Sequence, residues 1–544
     1  MFSVLCGLLA STEALVPDAV RHVSVSLSGA DWTLSSPPRV AGVPALVPND
    51  IADDLERAGL LPDLWYGLNS MNRSKWLWER EWTLTREFST PHANATSWLA
   101  FDGVDYNCTV ALNGQILGSH VGAFERFELD VSSVLVSPLS GRNNTLELTL
   151  HPPPQFILDD LYPNQSTTVP GYPVSNEGLD HCRVNREMLP WRSRLNFWDF
   201  ATKHWSSGIW KHVALRQTTA AARLAPEVRL RAELVAPYAS ASLIATVRWR
   251  TLDAAPRGSS FKLKLSATCA ADPSGASAVT AMALDGASFS LDGGDGWRTV
   301  TIDLTVHQPL LWWPNGYGAQ HLYSVNITLL QCDQAAHAPA DATSCVVADS
   351  IVEPTFGFRE LSVLENELTS PSAADSWLYA QWGYPDPKGK PWILNSSDYP
   401  SPSKEPLYPD KRKWLLAVNG RRIFARGGNW LPLDQMFGRG VREIGRMRAV
   451  LTLARDAGYT FFRVWGGGLI EDQSFYRLCD ELGVLIEQEM PAAGCMYTPP
   501  DWADDVQLDS WKAQLPMVLS QLVNHPSVAR YSMANEFYNN FTFS

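Results

Sequence analysis

The sequence predicts a multidomain protein in which two β-sandwich domains precede a parallel α/β unit. Its 544 residues allow three or four domains, at about 150 residues each. From about residue 20 to residue 358, short alternating segments are broken by Gly, Pro, Asn and Asp, which is typical of all-β domains. After Trp414, strand-like segments alternate with segments of helical periodicity, which indicates parallel strands joined by helices.

The first region, residues 20–217, is predicted to be a β-sandwich or jelly roll. Its clearest strand segments are Trp98–Phe101, Cys108–Leu112 and Leu146–Leu150. Asn113-Gly114 favours a two-residue hairpin, because both central residues of a type I′ turn have positive φ. Regular strand spacing without a long helix indicates a closed or two-sheet β architecture.

The second region, residues 218–358, is predicted to be an immunoglobulin-like β-sandwich. Loops rich in Ala, Ser, Asp and Gly separate its strand segments, as expected for such a domain. The clearest strands are Leu243–Arg250, Phe261–Ala267 and Tyr323–Leu329. Residues 359–412 carry many Pro, Ser and Tyr residues, show no clear period from residue 364 onward, and are predicted to be a connecting segment or insertion.

The third region, residues 413–544, alternates four predicted strands with three predicted helices. The strands are Ile423–Gly427, Tyr459–Trp465, Val484–Glu489 and Val528–Asn535. The helices are Arg442–Ala457, Asp472–Leu482 and Ser510–Val523. Apolar stripes at helical spacing support the first two helices, formed by Ile444, Met447, Leu451 and Ala454, and by Phe475, Leu478, Cys479 and Leu482. Gly458 and Gly483 are predicted to end these helices.

Composition excludes several classes of partner. Hydrophobic residues make up 45% and charged residues 19%, which is an ordinary globular balance. A net charge of −13 argues against nucleic acid as a partner. No later segment reaches the roughly 18 apolar residues that a membrane span needs. The spacing of Cys and His predicts no metal site, and we expect no cofactor.

The N-terminus and the sequons predict passage through the secretory pathway. Residues 1–14, MFSVLCGLLASTEA, resemble a short signal peptide without a basic n-region. Eight N-x-S/T triplets begin at Asn72, Asn94, Asn107, Asn143, Asn164, Asn326, Asn395 and Asn540. We therefore expect a glycosylated protein that is secreted, vacuolar or lysosomal.

The eight cysteines are too sparse for a disulfide scaffold. Cys332 and Cys345 flank a polar stretch between strand-like segments, and one disulfide between them is predicted to close a hairpin. Cys479 lies on the apolar face of a predicted helix, so we expect a buried free thiol there.

The predicted strand ends of the third region carry the candidate site. Functional groups of α/β sheets gather at the C-terminal ends of the strands. These ends carry Asn429, Trp430, Arg463, Trp465, Gln488, Glu489, Asn535 and Glu536. The set contains carboxylates, amides, a guanidinium and indoles, without a Ser–His pair or a phosphate-binding loop. Carboxylates beside aromatic residues are typical of glycosidic cleavage, although Glu536 alone is also compatible with a solvated charge.

Several longer motifs resemble glycoside hydrolase family 2 and follow its order. They are FDGVDYNCTVALNGQILG (101–118), SGIWKHVAL (207–215), LWWPNGYGAQHLY (311–323), FGFREL (356–361), RRIFARGGNWLP (421–432), and NHPS (524–527) followed by Asn535-Glu536. The resemblance implies a sugar-binding-type jelly roll, an immunoglobulin-like sandwich and a (β/α)₈ TIM barrel. Residues 413–544 would form the first half of that barrel.

Within the family, FFRVWGGGLIEDQSFYRLCDELGVL (461–485) and Trp198-Asp199-Phe200 resemble the β-mannosidases most. The resemblance implies that Glu536 is the general acid/base and that Asn535 bonds the sugar 2-hydroxyl. It assigns the −1 subsite to Arg463 and Trp465, and preference for the manno configuration to Asp199. Further substrate-binding residues would be Trp198, Asn429 and Trp430. The implied substrate is a β-mannoside or an oligosaccharide derived from an N-glycan.

The sequence also departs from the family pattern. Tyr531-Ser532-Met533 stands where Trp-Ser-Gly is usual, Glu487 replaces an aromatic residue, and Ala201-Thr202 replaces Gly-Pro. The family's nucleophile lies on a later strand than the acid/base, so we expect the chain to stop before it and to be inactive alone. Half a barrel would leave an unpaired apolar edge, which predicts aggregation.

Two alternatives to an exo-acting retaining β-mannosidase remain open at this point. The first is a sister specificity, namely an endo-β-mannosidase, an exo-β-glucosaminidase or a β-glucuronidase. Arg426–Trp430 resembles the endo-mannosidases, and Ala534-Asn535-Glu536 resembles the glucuronidases. The second is a non-catalytic remnant that binds glycans.

Overall fold

The computed structural model describes most of the chain. The described residues are 22–152, 202, 204, 206–252, 260–272, 277–284, 290–292, 296–332, 345–367, 411–491, 505–533 and 535. The predicted signal peptide and the sequons at Asn164, Asn395 and Asn540 lie outside them. The chain divides into two compact units, Met1–Phe358 with Gly427–Ser544, and Arg359–Arg426. In the described part of the chain, no helix has the length and apolar character needed to cross a membrane.

The first region consists of two antiparallel sheets. Its strands are β1 (His22–Ser26), β2 (Gly29–Ser36), β3 (Val40–Val47), β4 (Trp82–Phe88), β5 (Thr96–Phe101), β6 (Asn107–Leu112), β7 (Gln115–Val121), β8 (Phe127–Asp130), β9 (Asn144–Leu150) and β10 (Val213–Thr218). The sheet orders are β3-β2-β4-β9-β6-β7 and β1-β10-β5-β8. Alternate residues of β9 are buried, as expected for a strand with one face on a core.

The predicted hairpin between β6 and β7 is confirmed, with positive φ angles of 54° at Asn113 and 80° at Gly114. Three short helices were not predicted: α1 (Ile51–Arg57), α2 (Asn69–Arg73) and α3 (Lys75–Trp78). The carboxylate of Asp50 caps α1 by accepting the backbone N–H of Ala52. Helices this short carry too few turns to show a period in the sequence.

The second region, like the first, consists of two antiparallel sheets, and each of its sheets has four strands. Its strands are β11 (Ala222–Leu234), β12 (Ser240–Thr251), β13 (Ser260–Cys269), β14 (Ser277–Ala283), β15 (Ser290–Asp292), β16 (Trp297–His307), β17 (Tyr323–Cys332) and β18 (Cys345–Phe356). The sheet orders are β11-β12-β16-β15 and β14-β13-β17-β18. Cys332 and Cys345 are paired in register and joined by the predicted disulfide. The immunoglobulin-like assignment of this region stays a prediction.

The small unit Arg359–Arg426 contains an antiparallel sheet of β19 (Leu361–Glu367), β20 (Lys411–Val418) and β21 (Arg421–Arg422). The prediction of irregular structure from residue 364 to 412 is therefore wrong at both ends of that range. Charged residues at both strand ends remove the apolar alternation that identifies a strand, and in the register Glu367 faces Lys411. Residues 368–410 lie outside the described residues.

The third region contains a parallel sheet with the order β22-β23-β24-β25. Its elements are β22 (Gly427–Trp430), α4 (Phe437–Arg442), α5 (Ile444–Asp456), β23 (Phe461–Val464), α6 (Gln473–Leu482), β24 (Leu485–Glu489), α7 (Asp505–Ser520) and β25 (Val528–Ser532). The apolar stripe predicted for α6 is confirmed, because all four of its residues are buried. Gly483 ends this helix in the left-handed conformation.

The bounds predicted for the first strand of the third region are wrong. The predicted strand is Ile423–Gly427, whereas the observed strand begins at Gly427. The N–H of Ile423 instead bonds to the carbonyl of Leu416 in β20. The predicted helix Arg442–Ala457 is confirmed as α5, which begins two residues later because the backbone of Glu443 is not helical. Of its predicted stripe, Ile444 is exposed.

The NHPS motif joins the second region to the α/β region. Asn524 accepts the N–H of Leu230 and donates to the carbonyl of Val228, both at 2.8 Å. Buried His525 contacts the Asp480 carboxylate at 2.6 Å, and the Gly357 Cα packs so closely on Pro526 that a Cβ would clash. These motif residues therefore hold domains together and set the position of β25.

Replacing Asn524 with Ala should destabilise the protein by about 1–3 kcal/mol. The change leaves the buried backbone groups of Val228 and Leu230 without partners, and each such group carries a desolvation cost of that size. Denaturant unfolding of the chain would measure the loss, with Gln115→Ala on an exposed strand position as control. Equal unfolding midpoints for both variants would contradict this role.

Candidate active site

The carboxyl ends of the four parallel strands bring together four polar side chains. β22 carries Asn429, which lies in register with Arg463 on β23. β24 ends with Glu489, and Asn535 follows β25. Parallel strands end at one edge of a sheet, and this explains why residues more than a hundred positions apart meet there.

Arg463 is the centre of this cluster. Its Nε and Nη2 donate to Oε1 of Glu489 at 3.0 and 2.8 Å. Nη1 donates to Oδ1 of Asn429 at 3.2 Å, and Nη2 also donates to Oδ1 of Asn535 at 2.6 Å. Both amide oxygens face Arg463, and among the described residues no acceptor contacts the Nδ2 group of either asparagine. These Nδ2 groups can therefore donate to a bound hydroxyl. We call these four residues the arginine clamp.

Glu489 anchors the clamp. Its side chain is 5% exposed, and its second oxygen accepts the backbone N–H of Gly466 at 2.8 Å. Burial raises the pKa of Glu489, while the Gly466 N–H and the Arg463 guanidinium oppose that shift and Glu487 adds to it. Both carboxylate oxygens are thus engaged by donors, which suits a fixed anchor better than a nucleophile.

Both candidate tryptophans of the site are buried. Trp430 donates its indole N–H to Oε1 of Glu471 at 2.9 Å, and its ring packs against Phe475. Trp465 lies so close to Gly467 that a Cβ on this glycine would overlap the indole. This contact gives the middle glycine of RVWGGG a packing role. Substrate contact by either indole stays a prediction.

A buried charged group beneath the strand ends was missed by the sequence analysis. Lys211, from the end of SGIWK, is buried and donates to the carbonyls of Ile470 and Glu471 at 3.4 and 3.2 Å. Burial lowers the pKa of Lys211, whereas burial raises the pKa of Glu471 to about 7. The first region therefore holds the segment that follows β23. The family motif SGIWKHVAL draws attention to this segment, but its sequence does not indicate that Lys211 contacts residues 470 and 471.

Glu471 should make stability depend on pH. Its ordinary pKa of 4.5 rises to about 7 on folding, so the folded state binds this proton more tightly. Stability should therefore fall as pH rises from about 4.5 to 7. Glu471→Gln keeps an acceptor for Trp430 and should be more stable than the parent by roughly 2 kcal/mol at pH 8, with little difference at pH 4.5. Thermal unfolding across this range would measure it.

The control for this pH dependence is Glu481→Gln, at a surface carboxylate that is 42% exposed. That variant should keep the parent's pH profile. If the stability of Glu471→Gln depends on pH in the same way as that of the parent, Glu471 is not the group responsible for the pH dependence.

Three of the predicted site residues, Trp198, Asp199 and Glu536, lie outside the described residues. The structure brings together Asn429, Arg463 and Asn535 from the predicted set. Glu489, also a candidate from the strand ends, is the anchor of the clamp.

Comparisons with known proteins agree with this architecture. Residues 32–211 match the family model described as "Glycosyl hydrolase 2 galactose-binding domain-like". Beta-mannosidase B of Emericella nidulans is 26% identical over 519 residues, covering 92% of this chain and 49% of the relative. Beta-mannosidase of Rattus norvegicus is 25% identical over 533 residues, covering 94% of this chain and 50% of the relative.

Among solved structures, the β-D-mannosidase of Dictyoglomus thermophilum matches with a TM-score of 0.65 and 23% identity. That match covers 94% of this chain and 52% of the other, and it shows a common fold. The chain spans about half the length of the curated relatives it matches. The predicted resemblance to the β-mannosidases of glycoside hydrolase family 2 is confirmed by these matches.

Proposed function

We propose that this chain contributes the −1 sugar subsite and the general acid/base of a retaining β-mannosidase. The main support for this proposal is the arginine clamp. In it, Arg463 binds the amide oxygens of Asn429 and Asn535 and so fixes the orientation of both amides at the strand ends. Asn535 precedes Glu536 in the sequence, so the hydroxyl-binding amide and the proposed acid are neighbours in the chain. Similarity to β-mannosidases along most of the chain supports the same sugar class.

In this mechanism, Glu536 protonates the glycosidic oxygen as the bond to the leaving group breaks. It later takes a proton from the water that releases the sugar. Nδ2 of Asn535 donates to the 2-hydroxyl, and the ion pair between Arg463 and Glu489 keeps that amide oriented. Hydrogen bonds to the 2-hydroxyl strengthen as the oxocarbenium-like transition state forms, which lowers the barrier.

A retaining mechanism also needs a second carboxylate about 5–5.5 Å from the first. Glu489 is a strand-end carboxylate, but three donors from Arg463 and Gly466 hold its two oxygens. We therefore assign it to support and assign no described residue as the nucleophile.

The resemblance to the β-mannosidases also suggests the substrate specificity, the domain types and the location of the protein. We propose exo-action on terminal β-mannose of β-mannosides or N-glycan-derived oligosaccharides, with Asp199 favouring the manno configuration. We also propose that the first two regions are a jelly roll and an immunoglobulin-like sandwich, and that the third belongs to a (β/α)₈ barrel. The leader-like N-terminus and the sequons support a secreted, vacuolar or lysosomal location.

The proposal is tested by hydrolysis of a panel of 4-nitrophenyl β-glycosides by the complete gene product that contains this chain. We expect the mannoside to give the highest kcat/KM of the panel. A higher value for the glucosaminide or the glucuronide would replace the manno assignment with that specificity. Saturable glycan binding without turnover of any substrate would favour a binding protein and contradict the enzyme proposal.

A further inference from the structure

A cavity of about 380 Å³ lies where the first region, the second region and the α/β region meet. The first region contributes Arg126 and Arg216, the second contributes Arg223 and Glu353, and helix α6 contributes Arg477. No residue of the arginine clamp lines this cavity. It is therefore separate from the candidate active site.

The cavity walls are held in place by hydrogen bonds between the regions. Asn524 binds the backbone of Val228 and Leu230, with both distances at 2.8 Å. Gln521 donates to the carbonyl of Phe124 at 3.2 Å. Since Asn524 and Gln521 both line the cavity, its shape is formed before any molecule enters.

Three arginines of the lining are paired with nearby carboxylates. Arg126 pairs with Asp102 at 2.7 Å, while Arg216 and Arg223 share Glu128 at 3.3 and 2.6 Å. Three guanidiniums thus share Asp102 and Glu128, and Glu227 adds a further negative charge close to Arg126. Burial and the neighbouring Arg126 lower the pKa of Arg216, as expected when cations are crowded together.

The rest of the lining combines hydrogen-bond donors and acceptors. In the described ranges, Nε of Arg477 and Oε1 of Glu353 have no hydrogen-bond partner, but both atoms lie inside the wall with almost no accessible surface, so only the remaining polar atoms of these two side chains are available to the cavity. The other oxygen of Glu353 accepts from Asn524 at 3.3 Å, and Glu227 adds a further carboxylate to the lining.

We propose that this cavity is a non-catalytic site for a neutral sugar of one or two hexose rings. Adjacent hydroxyls both donate and accept, so one ring can serve the guanidiniums and the carboxylates together. An ion of either sign would meet a like charge. Leu224, Pro226 and Val352 supply apolar surface for the C–H faces of a ring, and the volume is that of a small-molecule site.

Occupation of this site joins all three regions. A sugar that binds only the assembled cavity stabilises the folded chain by mass action. A ligand of this cavity should therefore raise the melting temperature of the protein without being cleaved.

Saturation-transfer NMR and thermal unfolding of the complete gene product with cellobiose and lactose, neither of which is a mannoside, would test this proposal. We expect saturable binding of at least one of them and a concentration-dependent rise in melting temperature. Arg477→Met and Glu353→Gln should each weaken binding by roughly tenfold or more, because each removes charged hydrogen bonds to the sugar. Circular dichroism would show that both variants remain folded.

Two matched variants separate this site from the candidate active site. Arg448→Met, on the exposed face of α5, and Arg463→Lys, in the arginine clamp, should leave the affinity unchanged. Loss of binding in Arg463→Lys alone would place the sugar in the clamp and overturn the proposal. Absence of saturable binding at millimolar sugar, or binding of glucuronate and inorganic phosphate only, would also overturn it. None of these outcomes depends on whether the complete gene product hydrolyses mannosides.

Discussion

Glu536→Gln should slow the hydrolysis of mannosides with poor leaving groups by roughly 10²–10⁴-fold, the range expected when a general acid/base is removed. Glutamine keeps the size of the side chain but cannot protonate the departing oxygen. Mannosides with 2,4-dinitrophenolate as leaving group need no protonation, so their bond-breaking step should be almost unaffected. The complete gene product and its variant would be compared by kcat/KM for methylumbelliferyl, 4-nitrophenyl and 2,4-dinitrophenyl β-mannosides.

The matched control is Glu443→Gln, at a surface carboxylate that pairs with Arg446. This variant should keep the parent's kcat/KM for every substrate. The assignment of Glu536 fails if all three leaving groups lose activity equally, because a proton donor acts selectively on the poor ones.

Arg463→Met should have the second large effect, on stability and activity together. The change leaves the Glu489 carboxylate buried without its ion-pair partner, and removing one member of a buried pair costs about 3–5 kcal/mol. The amides of Asn429 and Asn535 also lose the group that orients them. We expect kcat/KM to fall by about 10²-fold or more, since small displacements of positioning groups cost that much.

A second substitution separates the two effects. In Arg463→Met combined with Glu489→Gln, the buried charge is gone, so much of the lost stability should return while activity stays low. Arg463→Lys should fold but remain impaired, because an ammonium cannot reproduce the planar fork. Recovery of activity together with stability in the double variant would show that the clamp is structural only. Denaturant unfolding and steady-state kinetics on the same preparations would measure both.

Local signals in the sequence were sufficient for much of the fold. The Asn113-Gly114 turn was predictable because only a few residues adopt two successive positive φ angles. Helix α6 was predictable because its buried stripe and its terminal Gly483 occur within eleven residues. Such features depend on residues close in the chain, so the sequence contains them directly.

Contacts between distant segments could not be predicted in the same way. The donation from Lys211 to Glu471 joins residues 260 positions apart, and nothing in SGIWK specifies that partner. The NHPS motif contributes to the family resemblance, but nothing in its sequence specifies that Asn524 binds the second region. The clamp residues are predictable from the strand ends. The hydrogen bonds to both oxygens of Glu489 are not, because they depend on how the strands are arranged in the folded sheet.

The most direct test of the central claim is time-resolved proton NMR of mannose released from 4-nitrophenyl β-D-mannoside by the complete gene product. A retaining β-mannosidase releases the β-anomer first, and the α-anomer then grows at the slower rate of mutarotation. We predict that order. Release of the α-anomer first, or no release of mannose, would contradict the proposed function.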